Sequence, residues 1–155
     1  KREEVNFKDG KEDGPVTKWY RNGQKREEGN WKDGKLDGLL TRWHENGQKE
    51  QEGNYKDYKK DGLWIYYHEN GQKAGELNYK DGELDGLWTE WYENGQRLRE
   101  ENYKDGKLMS AKVWKPDGEK CPVTNVKDGN GVWVWYSVDG TELDRWTYKD
   151  GKQVD

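Results

Sequence analysis

Asn78-Tyr-Lys-Asp-Gly-Glu-Leu-Asp-Gly-Leu-Trp-Thr-Glu-Trp-Tyr-Glu-Asn-Gly-Gln96 is the stretch that decides the fold, because it is one copy of a unit that also begins at Asn6, Asn30 and Asn54. A fixed period of 24 residues, carried through four copies, is the mark of stacked supersecondary units, each too small to bury its own apolar side. It reads as regular repeats over 6–29, 30–53, 54–77 and 78–101, then a degenerate repeat over 102–124 and a C-terminal hairpin repeat over 125–155, all in a single repeat domain over 1–155. A repeated surface points to recognition without naming what is recognised.

Two turn signals alternate within each unit. Asn-Gly falls at 22–23, 46–47, 70–71 and 94–95, and Asp-Gly at 9–10, 33–34, 81–82 and 105–106, with Tyr58 in place of Gly in the third unit. Asn-Gly between extended runs predicts a two-residue type I′ hairpin, and Asp-Gly-x-x-Asp-Gly a turn into the next unit. That placement fixes the cross-strand partners. Lys18 falls opposite Glu27 and Glu90 opposite Arg99, while Arg42 meets Gln51 and Tyr66 meets Gly75. The same register sets an aromatic opposite a glycine in every unit: Trp31 with Gly14, Tyr55 with Gly38, Tyr79 with Gly62, Tyr103 with Gly86. A ring over a strand glycine shields exposed backbone. With Asp139-Gly140 as the last turn, Tyr148 pairs with Gly131 and Trp133 with Trp146.

The period slips between Leu108 and Asn125, where Trp-Lys-Pro-Asp-Gly at 114–118 replaces the usual turn and Pro116 and Pro122 remove backbone donors. An irregular, edge-suited unit follows, of the kind that caps repeat arrays. Two strands per unit give about eleven or twelve short antiparallel strands, a meander. The fold class is therefore all-β.

Composition bounds the rest. Only 29% of the 155 residues are hydrophobic and 39% are charged, and the mean hydropathy is −1.55, values of a disordered chain. Ten Trp and ten Tyr at fixed spacing argue otherwise: here rings carry the apolar surface. The formal net charge is −4, with 28 basic residues interleaved among 32 acidic ones. No basic patch follows from this, so neither nucleic acid nor an anionic membrane is expected as the main partner. No run approaches the roughly 18 apolar residues of a membrane span. The chain begins at Lys1 rather than Met, which fits a processed product, cytoplasmic or exported with its signal removed. Cys121, the single cysteine, excludes an internal disulfide framework.

These residues resemble a known family. Lys-Asp-Gly-x-Leu-Asp-Gly-Leu-Trp-x-x-Trp-Tyr-Glu-Asn-Gly-Gln looks like the bacterial variant of the MORN repeat, as in YwqK-type antitoxin proteins, strongly over 6–107 and recognisably over 128–152. The resemblance implies an elongated, twisted sheet of successive hairpins with a groove, acting as a protein-interaction module. Among relatives it implies antitoxin or immunity roles for some and surface association for others.

Strand alternation sorts the side chains. Val16, Leu40, Trp64, Trp88 and Trp133 fall on one side beside Tyr20, His44, His68 and Tyr92; Leu39, Leu63 and Leu87 fall on the other with Trp19, Trp43, Tyr67 and Trp91. A single sheet cannot bury both faces against itself, so one aromatic face stays partly open to a partner. Tyr20, His44, Trp64, His68, Trp88, Tyr92 and Trp133 are the partner-binding candidates. A protein or peptide partner heads the readings; a glycan stacked on the rings is the alternative, a structural spacer the third, and exposed edge strands allow a homodimer. His44 and His68 stand two strands apart, roughly 9 to 10 Å, which disfavours a shared metal ion. The Asp-Gly links lack the ligand pattern of a calcium loop. No nucleophile with its base, Walker loop or His-Glu-x-x-His is present, so no catalytic residue and no cofactor are expected.

Overall fold

The computed structural model describes residues 2–154. The thirteen strands are β1 (Glu3–Lys8), β2 (Lys11–Trp19), β3 (Lys25–Lys32), β4 (Lys35–Trp43), β5 (Lys49–Lys56), β6 (Lys59–Tyr67), β7 (Lys73–Lys80), β8 (Glu83–Trp91), β9 (Arg97–Lys104), β10 (Lys107–Val113), β11 (Gly131–Tyr136), β12 (Glu142–Lys149) and β13 (Lys152–Gln153). The chain is all-β. Hydrogen-bonded neighbours follow chain order in a ten-stranded and a three-stranded sheet, and the resolved pairings are antiparallel, as in a meander. Two compact units divide it: one runs to Gln72 and includes Tyr79–Gly82, the other holds Lys73–Asn78 and continues from Glu83.

The two turn signals exchange the geometries expected of them. Asp9 and Gly10 have φ of 50° and 76°, and the pattern recurs at Asp33-Gly34, Asp81-Gly82, Asp105-Gly106, Asp128-Gly129 and Asp150-Gly151, whereas at Asp117-Gly118 and Asp139-Gly140 only the glycine has positive φ. Positive φ at both central residues defines the type I′ turn, so the tight hairpins form at Asp-Gly. At Asn22-Gly23 only the glycine has positive φ, at 87°. Gly23 N–H donates to the Tyr20 carbonyl and Tyr20 N–H to that of Gln24, giving a three-residue loop in which a type I turn closes on a left-handed glycine. The register expected from a two-residue loop holds nonetheless. A bulge skips Arg26 between Trp19↔Lys25 and Lys18↔Glu27 and returns the strands to the expected pairs. Lys18↔Glu27, Arg42↔Gln51, Glu90↔Arg99 and Trp133↔Trp146 are all observed.

The aromatic-glycine pairs are also present at Gly14↔Trp31, Gly38↔Tyr55, Gly86↔Tyr103 and Gly131↔Tyr148. On the side where a Cβ would stand, these glycines meet asparagines and not rings: Asn6 at Gly14, Asn30 at Gly38, Asn78 at Gly86 and Asn125 at Gly131. Gly38 has φ of 100° and marks a bulge in which three residues of β4 stand against Asn30. A Cβ on Gly38 would meet only the Asn30 side chain. The rings lie instead on another glycine column: Trp31 on Gly29 and Trp64 on Gly53.

The slipped unit is a shortened bulge. Two residues of β10 separate the partners of Tyr103 and Glu101, against three in β4. The turn after it is the ordinary one: Lys115 N–H bonds the Glu119 carbonyl and Asp117 Oδ1 accepts from Glu119 N–H, the role Asn22 plays for Gln24.

Among the described residues Tyr58 is the one bulky residue in the left-handed region, at φ 68° beside Asp57 at 48°. That conformation carries a penalty of about 1–2 kcal/mol for a residue with a Cβ, offset in part by Lys35, whose Nζ lies 4.1 Å from the ring centroid. Tyr58→Gly restores the repeat and should raise the unfolding free energy by about 1 kcal/mol in denaturant titration; an unchanged or lowered value would refute the strain.

Candidate aromatic recognition face

In the first unit the 24-residue period brings Val16, Leu40 and Trp64 into one column, each with 0% exposure. Trp64 can lie flat because its cross-strand neighbour is Gly53: a Cβ there would sit 2.3 Å from Trp64 Cδ2. Its Nε1 donates to the Asn54 carbonyl at 3.1 Å. Around this buried floor stand half-buried tyrosines, with centroid distances from Trp64 of 5.2 Å to Tyr55, 6.3 Å to Tyr66 and 6.4 Å to Tyr79. Lys60 reaches over them, its Nζ 4.2 Å from the Trp64 centroid and donating to Tyr66 Oη at 2.7 Å.

Beside the rings Glu27 is buried and accepts from Arg42 Nε at 2.7 Å and Lys18 Nζ at 3.1 Å. Burial alone would raise its carboxyl, but these two hydrogen bonds outweigh burial and hold it below the usual carboxylate range. A depressed folded value means stability that is present above the unfolded value and lost as pH falls through the folded one. Glu27→Gln should therefore lower stability by about 2 kcal/mol at neutral pH, with the difference from wild type shrinking as pH drops below about 4.3. Denaturation midpoints measured across that range check it; a difference that grew on acidification would contradict the assignment.

In the second unit Glu101 occupies the column of Gly29 and Gly53 and is 2% exposed. Trp133 Nε1 donates to it at 2.6 Å, Tyr103 Oη at 3.0 Å and Arg99 at 3.5 Å. Burial raises its carboxyl against these partners. A raised folded value makes its contribution fall with rising pH, opposite in sign to that of Glu27. Arg99 also donates to Glu90 at 2.8 Å and lies 3.9 Å from the Trp88 centroid. Trp133 stacks on Trp146 at 4.8 Å and Trp135 at 5.6 Å. Leu77 stands one period after Gly53. Trp88, in the repeat that follows, is half-buried, and its buried Nε1 has no partner among the described residues.

The expected contact residues thus separate. Trp64 and Trp133, at 0% and 3% exposure, are corrected to core: each ring is the floor others pack on and cannot touch a partner. Tyr20, His44 and Tyr92 follow their strands and use their polar tips on backbone carbonyls 22 or 23 residues ahead. Tyr20 Oη donates to Trp43 at 2.6 Å and Tyr92 Oη to Trp114 at 2.9 Å, and His44 Nε2 lies 3.1 Å from the Tyr67 carbonyl. Asn22, Asn46 and Asn94 bridge the same way, to Glu45, Glu69 and Pro116. These residues staple one repeat to the next; His68 and Trp88 are half-buried. Among the described residues no three of His, Cys, Asp and Glu gather as a metal-binding group, and no helix is long and apolar enough to cross a membrane.

Lys60 and Glu101 were missed by sequence reasoning, though both carry a signal. Each departs from most of its 24-residue column, Lys60 among Glu12, Leu36, Leu84 and Leu108, and Glu101 after Val5, Gly29, Gly53 and Leu77. On the opposite face Leu39, Leu63 and Leu87 are 55%, 47% and 48% exposed.

Type I′ and glycine-closed hairpins alternating through an antiparallel meander, with rings and staples recurring at one period, define an all-β repeat protein of the recognition kind. The chain belongs to the MORN repeat variant family, whose model matches at residues 12–33, 36–57, 60–81 and 84–105, more than half of it. MORN repeats are in general repeats for interaction with proteins and membranes. No curated protein matches the chain.

Proposed function

We propose that the chain is a non-enzymatic protein-interaction module that holds a protein or peptide segment along its aromatic face. The ring cluster of the first unit carries this reading. Tyr55, Tyr66 and Tyr79 are contiguous on Trp64, half-buried and rimmed by charge, the mixture of apolar body and polar tip that interface hot spots favour. Trp88 and Trp135 extend the same chemistry in the second unit. If the partner is a toxin, as the antitoxin resemblance implies, neutralisation works by occluding its surface.

A second reading rests on the exposed leucines of the opposite face. It is the weaker one because Leu39 pairs with Asn54 and Leu87 with Asn102, so polar residues separate the leucines, and singly scattered apolar residues are ordinary surface.

Affinity capture from the source cell's extract separates these. Tyr66→Ser/Tyr79→Ser, checked for folding by thermal melting, should weaken retention of the captured protein about tenfold or more, whereas Leu39→Ser/Leu63→Ser should leave it. The reverse pattern assigns the leucine face. Retention lost to free oligosaccharide assigns a glycan.

A further inference from the structure

Several charged groups beside the rings are paired, and Lys60 is not. Lys18 and Arg42 share Glu27, and Arg99 holds Glu90 and Glu101. Lys60 makes no ion pair among the described residues. Its neighbours are neutral: the rings of Trp64, Tyr79 and Tyr66, at 4.2, 5.1 and 5.4 Å from Nζ, and the Tyr66 hydroxyl. An ammonium has three donors; the Tyr66 hydroxyl at 2.7 Å takes one and the Tyr79 hydroxyl is a second acceptor, and no carboxylate among the described residues takes the third. Half-buried beside rings, this charge is less hydrated than one at a surface, so a partner anion gains more there than in water.

The repeat makes the point sharper. Leucine stands in this column at 36, 84 and 108 and Glu12 in the first repeat, so both neighbouring repeats place an apolar side chain where the third carries a cation. Tyr66 and Tyr79 hydrogen-bond each other, and burial raises both phenols, which keeps them protonated, so one of the two hydroxyls retains a proton to donate outward.

We propose that Lys60, with the hydroxyls of Tyr66 and Tyr79, forms the anchor for a carboxylate brought by an acidic segment of the protein partner. This rests on the aromatic face being the binding face and adds the chemistry of what lies on it. A carboxylate reaching Lys60 completes the pairing that Glu27 supplies to Lys18 and Arg42 and that Glu90 and Glu101 supply to Arg99. The segment's remaining surface packs on Tyr55 and Tyr79. An acidic side chain and a chain-terminal carboxylate offer the same chemistry, and the probes below tell them apart.

The test is fluorescence anisotropy of the full chain with three labelled peptides: hexaglutamate with an amidated C-terminus, a neutral Gly-Ser hexapeptide with a free C-terminus, and the same neutral peptide amidated. Lys60→Leu is the informative variant, because leucine is the residue this column carries in neighbouring repeats and the fold accepts it. Wild type should bind one of the two carboxylate-bearing probes and not the third. Lys60→Leu should weaken that binding about tenfold or more, and Lys60→Arg should retain it. Binding of neither carboxylate probe, or equal binding by Lys60→Leu, overturns the anchor. So does a loss that appears only in Lys56→Gln/Lys59→Gln, which would assign the exposed lysines of the Asp57-Tyr58 turn. If Lys60→Leu is silent while Tyr66→Ser/Tyr79→Ser abolishes capture of the partner, the anchor falls and the aromatic face stands.

Discussion

Gly53→Ala should destabilise the protein by about 3 kcal/mol or more, at the upper end of what overpacking a core does. The added Cβ would fall 2.3 Å from Trp64 Cδ2 and 2.5 Å from Cε2, far inside van der Waals contact. Trp64 has nowhere to go. It is fully buried, its Nε1 is bound to the Asn54 carbonyl, and Tyr55 meets it edge-on at 89°. Any retreat of the ring loses that hydrogen bond and the packing of three tyrosines together. Gly75→Ala is the control, since a Cβ there meets its nearest neighbours, Glu90 and Leu77, at 3.4 and 3.5 Å, which is ordinary contact. It should change stability by less than about 1 kcal/mol. Urea titration of both variants measures the contrast, and equal effects would show that the clash does not set the cost.

Glu101→Ala should remove about 3–5 kcal/mol from the second unit, the range for stripping one partner from a buried charged pair. The loss is not mainly that of the pair's own attraction. Trp133 Nε1 and Tyr103 Oη would be left without their acceptor, and Arg99 would keep Glu90 alone. Burial raises the Tyr103 phenol, with the Glu101 charge adding to it, so the hydroxyl stays protonated and needs an acceptor throughout the accessible pH range. Calorimetric unfolding checks this. A variant as stable as wild type would mean that water replaces the carboxylate in a space now described as closed.

Both effects come from positions where the repeat meets its own exceptions, and that is where the sequence was hardest to read. Period, hairpins and cross-strand pairs were legible because 24 residues return every strand to the same side, so partners such as Gly38↔Tyr55 follow from arithmetic on the turns. The turn types were not legible in the same way. Asn-Gly suits a type I′ turn in isolation, but the bulge at Arg26 offsets the longer loop, and the two errors cancel in the register. Asp-Gly takes the I′ geometry because Asp, like Asn, tolerates the left-handed region. Nor did alternation say which rings are floor and which are rim. Trp64 and Trp88 occupy one column, yet Trp64 lies on Gly53 and is fully buried, whereas Trp88, with Leu77 one period after that glycine, is only half-buried. A periodic reading averages over such differences. The charges were read as interleaved, and along the chain they are; across the sheet Glu27 serves two cations while Lys60 has no carboxylate among the described residues, a distinction only the third dimension makes.

The most direct test of the binding face replaces one residue at a time with p-benzoylphenylalanine in the full chain, at Tyr66 or at Leu63, and irradiates each in the presence of the captured partner. The two positions lie on the same strand, β6, on opposite faces, so one fold serves both experiments. Crosslinking from position 66 and none from 63 is the predicted result. Crosslinking from 63 alone would contradict the account and move recognition to the leucine face.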